Sequence, residues 1–178
     1  VENGLYISPS GINKSWFDTF IFPKKDVITY NQGVYAVAAL VANRLKLERN
    51  STVVKKAIDG YRRLLHPSGR LQFSRDIPYR AEDALAGEFL ALRIFEESFL
   101  SDNVVQETFA ALPPSLFGKR VVAKEDGSFL DPQEFSRSYR PGDYQNGAVW
   151  PMFEAVARAT AELHGLKHNF ISWQTCKF

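Results

Sequence analysis

Cysteine is almost missing from this chain of 178 residues. Cys176 stands alone near the C-terminus, so neither a disulfide framework nor a thiolate metal site can be built from it. An excess of charge is missing too, since 22 lysines and arginines meet 20 aspartates and glutamates. Lys24-Lys25 and Lys55-Lys56 are isolated pairs that read as solvated faces, and no nucleic-acid partner is expected. No apolar run reaches the ~18 residues of a membrane span, so no membrane partner is expected either. Glycine-rich phosphate loops and nucleophile elbows do not occur. His164 and His168 have the i, i+4 spacing of a zinc pair, but Gly165 falls between them and no third ligand is near. The expectation is therefore no metal and no cofactor. The chain opens on Val1 without a signal-peptide pattern, which leaves the compartment unknown.

Aromatic side chains, by contrast, make up 13% of the chain, and many fall outside helical patterns. Trp16, Phe17, Phe20, Phe22, Phe73, Tyr79, Phe129, Phe135, Tyr139 and Tyr144 are of this kind. Such residues either anchor loops to a core or form a stacking surface.

Apolar periodicity predicts five helices, at 33–47, 51–65, 83–98, 101–112 and 150–164. The first, third and fifth are apolar on most sides and should be buried. The second and fourth carry one apolar stripe each, as surface helices do. Ser51 is a plausible N-cap of the second helix. Pro113-Pro114 stops the fourth, and Pro151 suits the first turn of the fifth. Loops from a buried helix to the next surface helix are short, and the returning loops, 66–82 and 113–149, are long. The long loops should share one end of the molecule, where recognition is easiest to build. Within them, 120–124 and 128–130 read as a β-hairpin around Glu125-Asp126-Gly127, and 71–73 as a further strand. The expected architecture is all-α, one domain over 1–178 of helical hairpins in two layers, with an irregular tail at 167–178.

An internal repeat supports this arrangement. Tyr30-Asn31-Gln32-Gly33-Val34-Tyr35 stands at the first buried helix, and Tyr144-Gln145-Asn146-Gly147-Ala148-Val149-Trp150 at the fifth. Carboxamides suit dense hydroxyl recognition, and Tyr or Trp faces suit sugar rings. Asn31, Gln32, Tyr144, Gln145, Asn146 and Trp150 are therefore the candidate substrate-binding residues. Glu82, Asp83 and Asp143 are the candidate catalytic carboxyls, although Asp83 reads equally as an N-cap and Asp143 as a turn former. Glu88 and Glu154, the latter four residues before Arg158, read as structural groups within buried helices.

The Tyr144-Gln145-Asn146-Gly147 to Trp150-Pro151 segment resembles the signature of the six-hairpin glycosidases. That superfamily includes the glucosidase domain of debranching enzymes, related α-glucosidases and inverting phosphorylases. Residues 30–45 and 84–90 are similar to the same superfamily. The resemblance implies an (α/α) toroid around a cleft, an oligosaccharide or glycoside substrate, and two carboxyl groups serving as acid and base. Inverting hydrolysis needs such carboxyls about 6.5–9.5 Å apart. Five helices supply only part of a twelve-helix ring, and in many members one catalytic carboxylate lies beyond the tryptophan-proline helix. The chain is thus expected to be a partial toroid, with an exposed apolar inner face that favours a homodimer. The alternative is a helical-hairpin scaffold, or an inactive hydrolase piece, that binds glycan or protein without catalysis.

Overall fold

The computed structural model describes residues 1–115 and 118–166. The expected tail at 167–178, with His168 and Cys176, lies outside the described residues. Among these are five α-helices: α1 (Thr29–Arg44), α2 (Ser51–Arg62), α3 (Ala86–Phe95), α4 (Asp102–Ala111) and α5 (Pro151–Leu163). A 3-10 turn, Glu82–Leu85, leads directly into α3. Helix α1 packs against α2 and α3, α3 against α5, and α5 against α4. The order expected from the apolar patterns is therefore present, with α1, α3 and α5 as consecutive neighbours.

Glycine sets the closeness of one of these contacts. The α1 backbone at Gly33 meets the α3 backbone at Gly87, so that a Cβ added to Gly33 would lie 3.0 Å from Gly87 Cα. A Cβ on Gly87 would run into Gly33 itself. Tyr61 of α2 is fully buried beneath this crossing and donates its hydroxyl to the Ala84 carbonyl. Burial pushes the Tyr61 hydroxyl well above its ordinary range, with the charge of Glu88 adding to the effect.

The helix starts differ from the sequence expectation in one respect. Helix α1 begins at Thr29, so Tyr30, Asn31 and Gln32 lie inside its first turn rather than ahead of it. In the second copy, Tyr144 to Gly147 form turns, and α5 starts only at Pro151. The physical difference is in the backbone: Tyr144 and Gly147 hold positive φ of 39° and 82°, which a helix cannot accept. The repeat in composition is thus not a repeat in conformation.

Strands are few and short. β1 (Arg80–Ala81) pairs antiparallel with β4 (Val122–Ala123), and β2 (Pro114–Ser115) with β3 (Gly118–Lys119). The hairpin expected at 120–130 reduces to a turn, in which Lys124 N–H donates to Ser128 O and Gly127 N–H to Lys124 O. Val122 and Ala123, both fully buried, pair instead with the other long loop, Val122 opposite the buried Ala81. Segment 71–73 makes a single bridge, Leu65 to Leu71, and no named strand.

Two apolar clusters hold the molecule together. One lies between the helices and includes Val37, Leu40, Tyr61, Leu85, Phe109 and Ala157. The other lies under the loops and is mainly aromatic, with Phe17, Phe20, Phe22, Phe73, Phe135 and Phe153. The first 28 residues, unassigned by periodicity, contribute Phe17, Phe20, Phe22 and Ile28 to the second cluster. They run out and back, bridged at Ser8–Asp26 and Gly11–Phe22. Most loop aromatics are therefore anchors.

The buried helices are not buried all round. Leu90, Phe89 and Val156 are only half-buried, and Ile94, Met152 and Leu163 are exposed. Lys55, Arg62 and Glu107 are exposed, in keeping with α2 and α4 as surface helices.

Candidate functional site

One loop segment, residues 14–19, joins the starts of three helices. The Lys14 carbonyl accepts from Asn31 Nδ2 of α1 at 2.6 Å. Trp16 Nε1 donates to Asp83 Oδ2, before α3, at 2.6 Å. The Trp16 carbonyl accepts from Gln145 Nε2, before α5, at 2.9 Å. Since all three partners sit at or just before helix N-termini, those ends of α1, α3 and α5 face the same loop. The long loops accordingly meet at this end.

Asp83 lies at the centre of the arrangement. It is 1% exposed, and it is not the helix cap that its position suggested, because Ala81 and Leu85 hold the cap positions. Burial pushes its carboxyl up to about 7, against the opposing hydrogen bond from Trp16. Half-buried aromatic rings lie beside it: Trp16, which bonds to it, and Tyr30, which feels its charge. Trp16 meets Phe153 at 4.1 Å and Trp150 at 5.1 Å between ring centres. Tyr30 is raised from its ordinary range by burial and then by the Asp83 charge.

Glu82 faces a different environment. Its backbone N–H donates to Val121 O at 2.9 Å, which continues the β1–β4 pairing and fixes its position. The side chain is fully buried, and neither carboxyl oxygen has a hydrogen-bond partner among the described residues. Burial, then the charges of Glu154 and Asp83, push it up to about 9, while Lys119 and Arg158 oppose this. Glu154 is itself buried and accepts from Arg158 Nε at 3.0 Å. Gly118 passes so close to Glu154 Oε2 that any side chain there would collide with it. Lys119 reaches the Phe109 and Leu112 carbonyls at the end of α4 and is lowered by burial. Glu88 is structural, as expected: it accepts from Ser98 Oγ and from the Phe99 and Leu100 amides, tying down the α3–α4 connection.

The carboxamide candidates divide sharply. Gln32 is fully buried and donates to Gly4 O and Ala57 O while accepting from Tyr6 N–H. Gln145 accepts from Thr19 and donates to Trp16 O and Asp18 Oδ1. Asn146 spans Leu130 and Tyr139. Both are fully buried. As direct ligand contacts these three are corrected: every amide hydrogen is already used inside the protein, so they shape loops and do not touch a ligand. Asn31 is different, being half-buried with only its Nδ2 committed, to Ser8 Oγ and the Lys14 carbonyl. Tyr144 is 39% exposed and Trp150 half-buried, with Trp150 Nε1 donating to the Tyr144 carbonyl.

Asp143 is exposed and belongs to a turn, its carbonyl accepting from Asn146 N–H at 2.8 Å. Its carboxylate makes no hydrogen bond or ion pair among the described residues, so nothing links it to Asp83. Trp16 bonds to Asp83 and meets the Trp150 ring, Trp150 meets Tyr144, and Asn31 bonds to Lys14 of the same loop. Trp16 carried a sequence signal only as a loop aromatic, because its partner is 67 residues away.

Among the described residues no cluster of three or more metal-ligating side chains is present. No helix there is long and apolar enough to cross a membrane. Compared with known proteins, the chain matches no family model and no curated protein.

Proposed function

We propose that this chain is a glycoside-hydrolase-like domain that binds sugar at the shared N-terminal ends of α1, α3 and α5, and that these helices form part of an (α/α) toroid. The observation that carries the reading is the Asp83 carboxyl, buried at the entrance to α3 and bonded by Trp16, whose ring meets Trp150. Aromatic faces with polar rims stack on pyranose rings, and a carboxyl pushed up to about 7 is half protonated near neutrality. In hydrolysis, Asp83 would give its proton to the glycosidic oxygen as the bond breaks, and a base opposite would activate water. Trp16 covers the carboxyl, so the indole must turn aside for Asp83 to reach that oxygen. The similarity of Tyr144 to Pro151 to the six-hairpin glycosidase signature supports the same reading.

A second reading, glycan binding without hydrolysis, draws on the other two carboxyls. Glu82 is enclosed with Glu154, Lys119 and Arg158, and Asp143 is held in an exposed turn, so neither is placed to serve as the opposing base.

Assays on aryl glycosides with the native protein and Asp83→Asn, run beside oligosaccharide titrations, separate the readings. Hydrolysis that falls at least a hundredfold in Asp83→Asn supports the enzyme, while binding without turnover supports the scaffold. No binding and no turnover across neutral and acidic sugars would remove both.

A further inference from the structure

Two clefts open on the loop face, and Asn13 lines both of them. The first, about 420 Å³, lies against α1 and is bounded by Tyr6, Lys14, Tyr30, Asn31 and Tyr35. The second, about 520 Å³, is bounded by Asp18, Arg137, Tyr139 and Tyr144. Both volumes fall within the roughly 300–1,000 Å³ usual for small-molecule sites. Asn13 is exposed with φ of 58°, so the chain turns sharply there and leaves both sides of the turn open. The two clefts therefore adjoin at Asn13 and together make a trough with tyrosines on both flanks.

Each half of the trough contains one cation, Lys14 in the first cleft and Arg137 in the second. Lys14 and Arg137 form no ion pair with any described residue. The first cleft has no acidic residue in its lining. The second has Asp18, whose Oδ1 already accepts from Gln145 Nε2 at 2.8 Å and from the Tyr144 hydroxyl at 3.4 Å. A neutral sugar gains little from two such cations. A sugar bearing carboxylate or sulfate groups gains a charge-assisted hydrogen bond at each.

We infer that the trough takes an acidic oligosaccharide, with anionic substituents on Lys14 and Arg137 to either side of Asn13. The inference rests on the sugar-binding reading and narrows its substrate class.

Calorimetric titration with three ligands tests it: an oligogalacturonate hexamer, a sulfated maltohexaose and plain maltohexaose. At low ionic strength at least one acidic hexamer should bind at least tenfold more tightly than maltohexaose, and salt should reduce the difference. Which one binds identifies the anion as carboxylate or sulfate. The double variant Lys14→Gln, Arg137→Gln should lower acidic affinity to the maltohexaose level while leaving maltohexaose binding and the melting temperature unchanged. Equal affinity for acidic and neutral hexamers overturns the inference and leaves the sugar site standing. So does an acidic preference that survives in the double variant. Failure of all three ligands to bind overturns both.

Discussion

The indole of Trp16 donates to the carboxylate of Asp83 at 2.6 Å, linking an N-terminal loop to the entrance of α3. A hydrogen bond to the ionised form favours it, so Trp16 holds the Asp83 carboxyl lower than burial alone would set it. In Trp16→Phe, the carboxyl should titrate higher than in the native protein, where it is pushed up to about 7. Carbon-detected NMR titration of labelled aspartate reads this directly. An unchanged midpoint would show that the bond has no electrostatic effect on Asp83.

Trp150 separates binding from folding. It is half-buried, and its ring meets Trp16 and Tyr144 at 5.1 and 5.2 Å. Trp150→Ala should weaken oligosaccharide binding about tenfold or more while lowering the melting temperature modestly. A large loss of stability with unaltered affinity would make Trp150 a packing residue only.

Glu82 makes stability depend on pH. Its folded value of about 9 exceeds the ordinary 4.5, and Asp83 rises from 3.8 to about 7. Between the unfolded and folded values the native state binds more protons than the unfolded state, so stability falls as pH rises. The melting temperature should therefore decline from about pH 5 toward pH 9 through these two groups. Glu82→Gln should flatten the upper part of that decline, measured by calorimetry at pH 5, 7 and 9. A variant as pH-sensitive as the native protein would count against a proton held at Glu82.

Gly87 tests the α1–α3 crossing. Its Cβ would enter the Gly33 backbone, which cannot move aside without separating two helices. Gly87→Ala should cost about 1–3 kcal/mol, the usual range for overpacking, despite the better helix propensity of alanine. Chemical denaturation checks this, and a stabilised variant would contradict the close approach.

Gln145 holds the loop in place. Its carboxamide makes bonds to Trp16, Asp18 and Thr19, all within one segment. Gln145→Ala should raise hydrogen exchange at the amides of 16–19 and leave α2 unaffected. Uniform protection across both regions would show that the loop is held by its aromatics alone.

Local pattern is sufficient for three of the helices. Periodicity located α2, α4 and α5 to within a few residues, because an apolar stripe, Pro113-Pro114 and Pro151 act on the backbone where they stand. Helix α1 starts four residues before the apolar pattern places it, since Tyr30-Asn31-Gln32 has no strong helical signal and Ile28 at the N-cap offers no capping side chain. Glu88 and Glu154, read from their positions on apolar helices as inward-facing groups, are both buried.

The site depended on partners distant in the chain. Nothing local distinguishes Asn31 from Gln32, yet one lines a cleft and the other is enclosed, because the N-terminal segment passes over one side of α1 and bonds to Gln32 from there. The same is true of Asp83, which Trp16 bonds from a distant loop and which holds no cap position. The sequence by itself determined which segments are helical and which faces are apolar, since both follow from neighbours within a turn or two. Only the tertiary structure decided which polar groups remain free, since a hydrogen bond between distant segments forms only after the chain has folded.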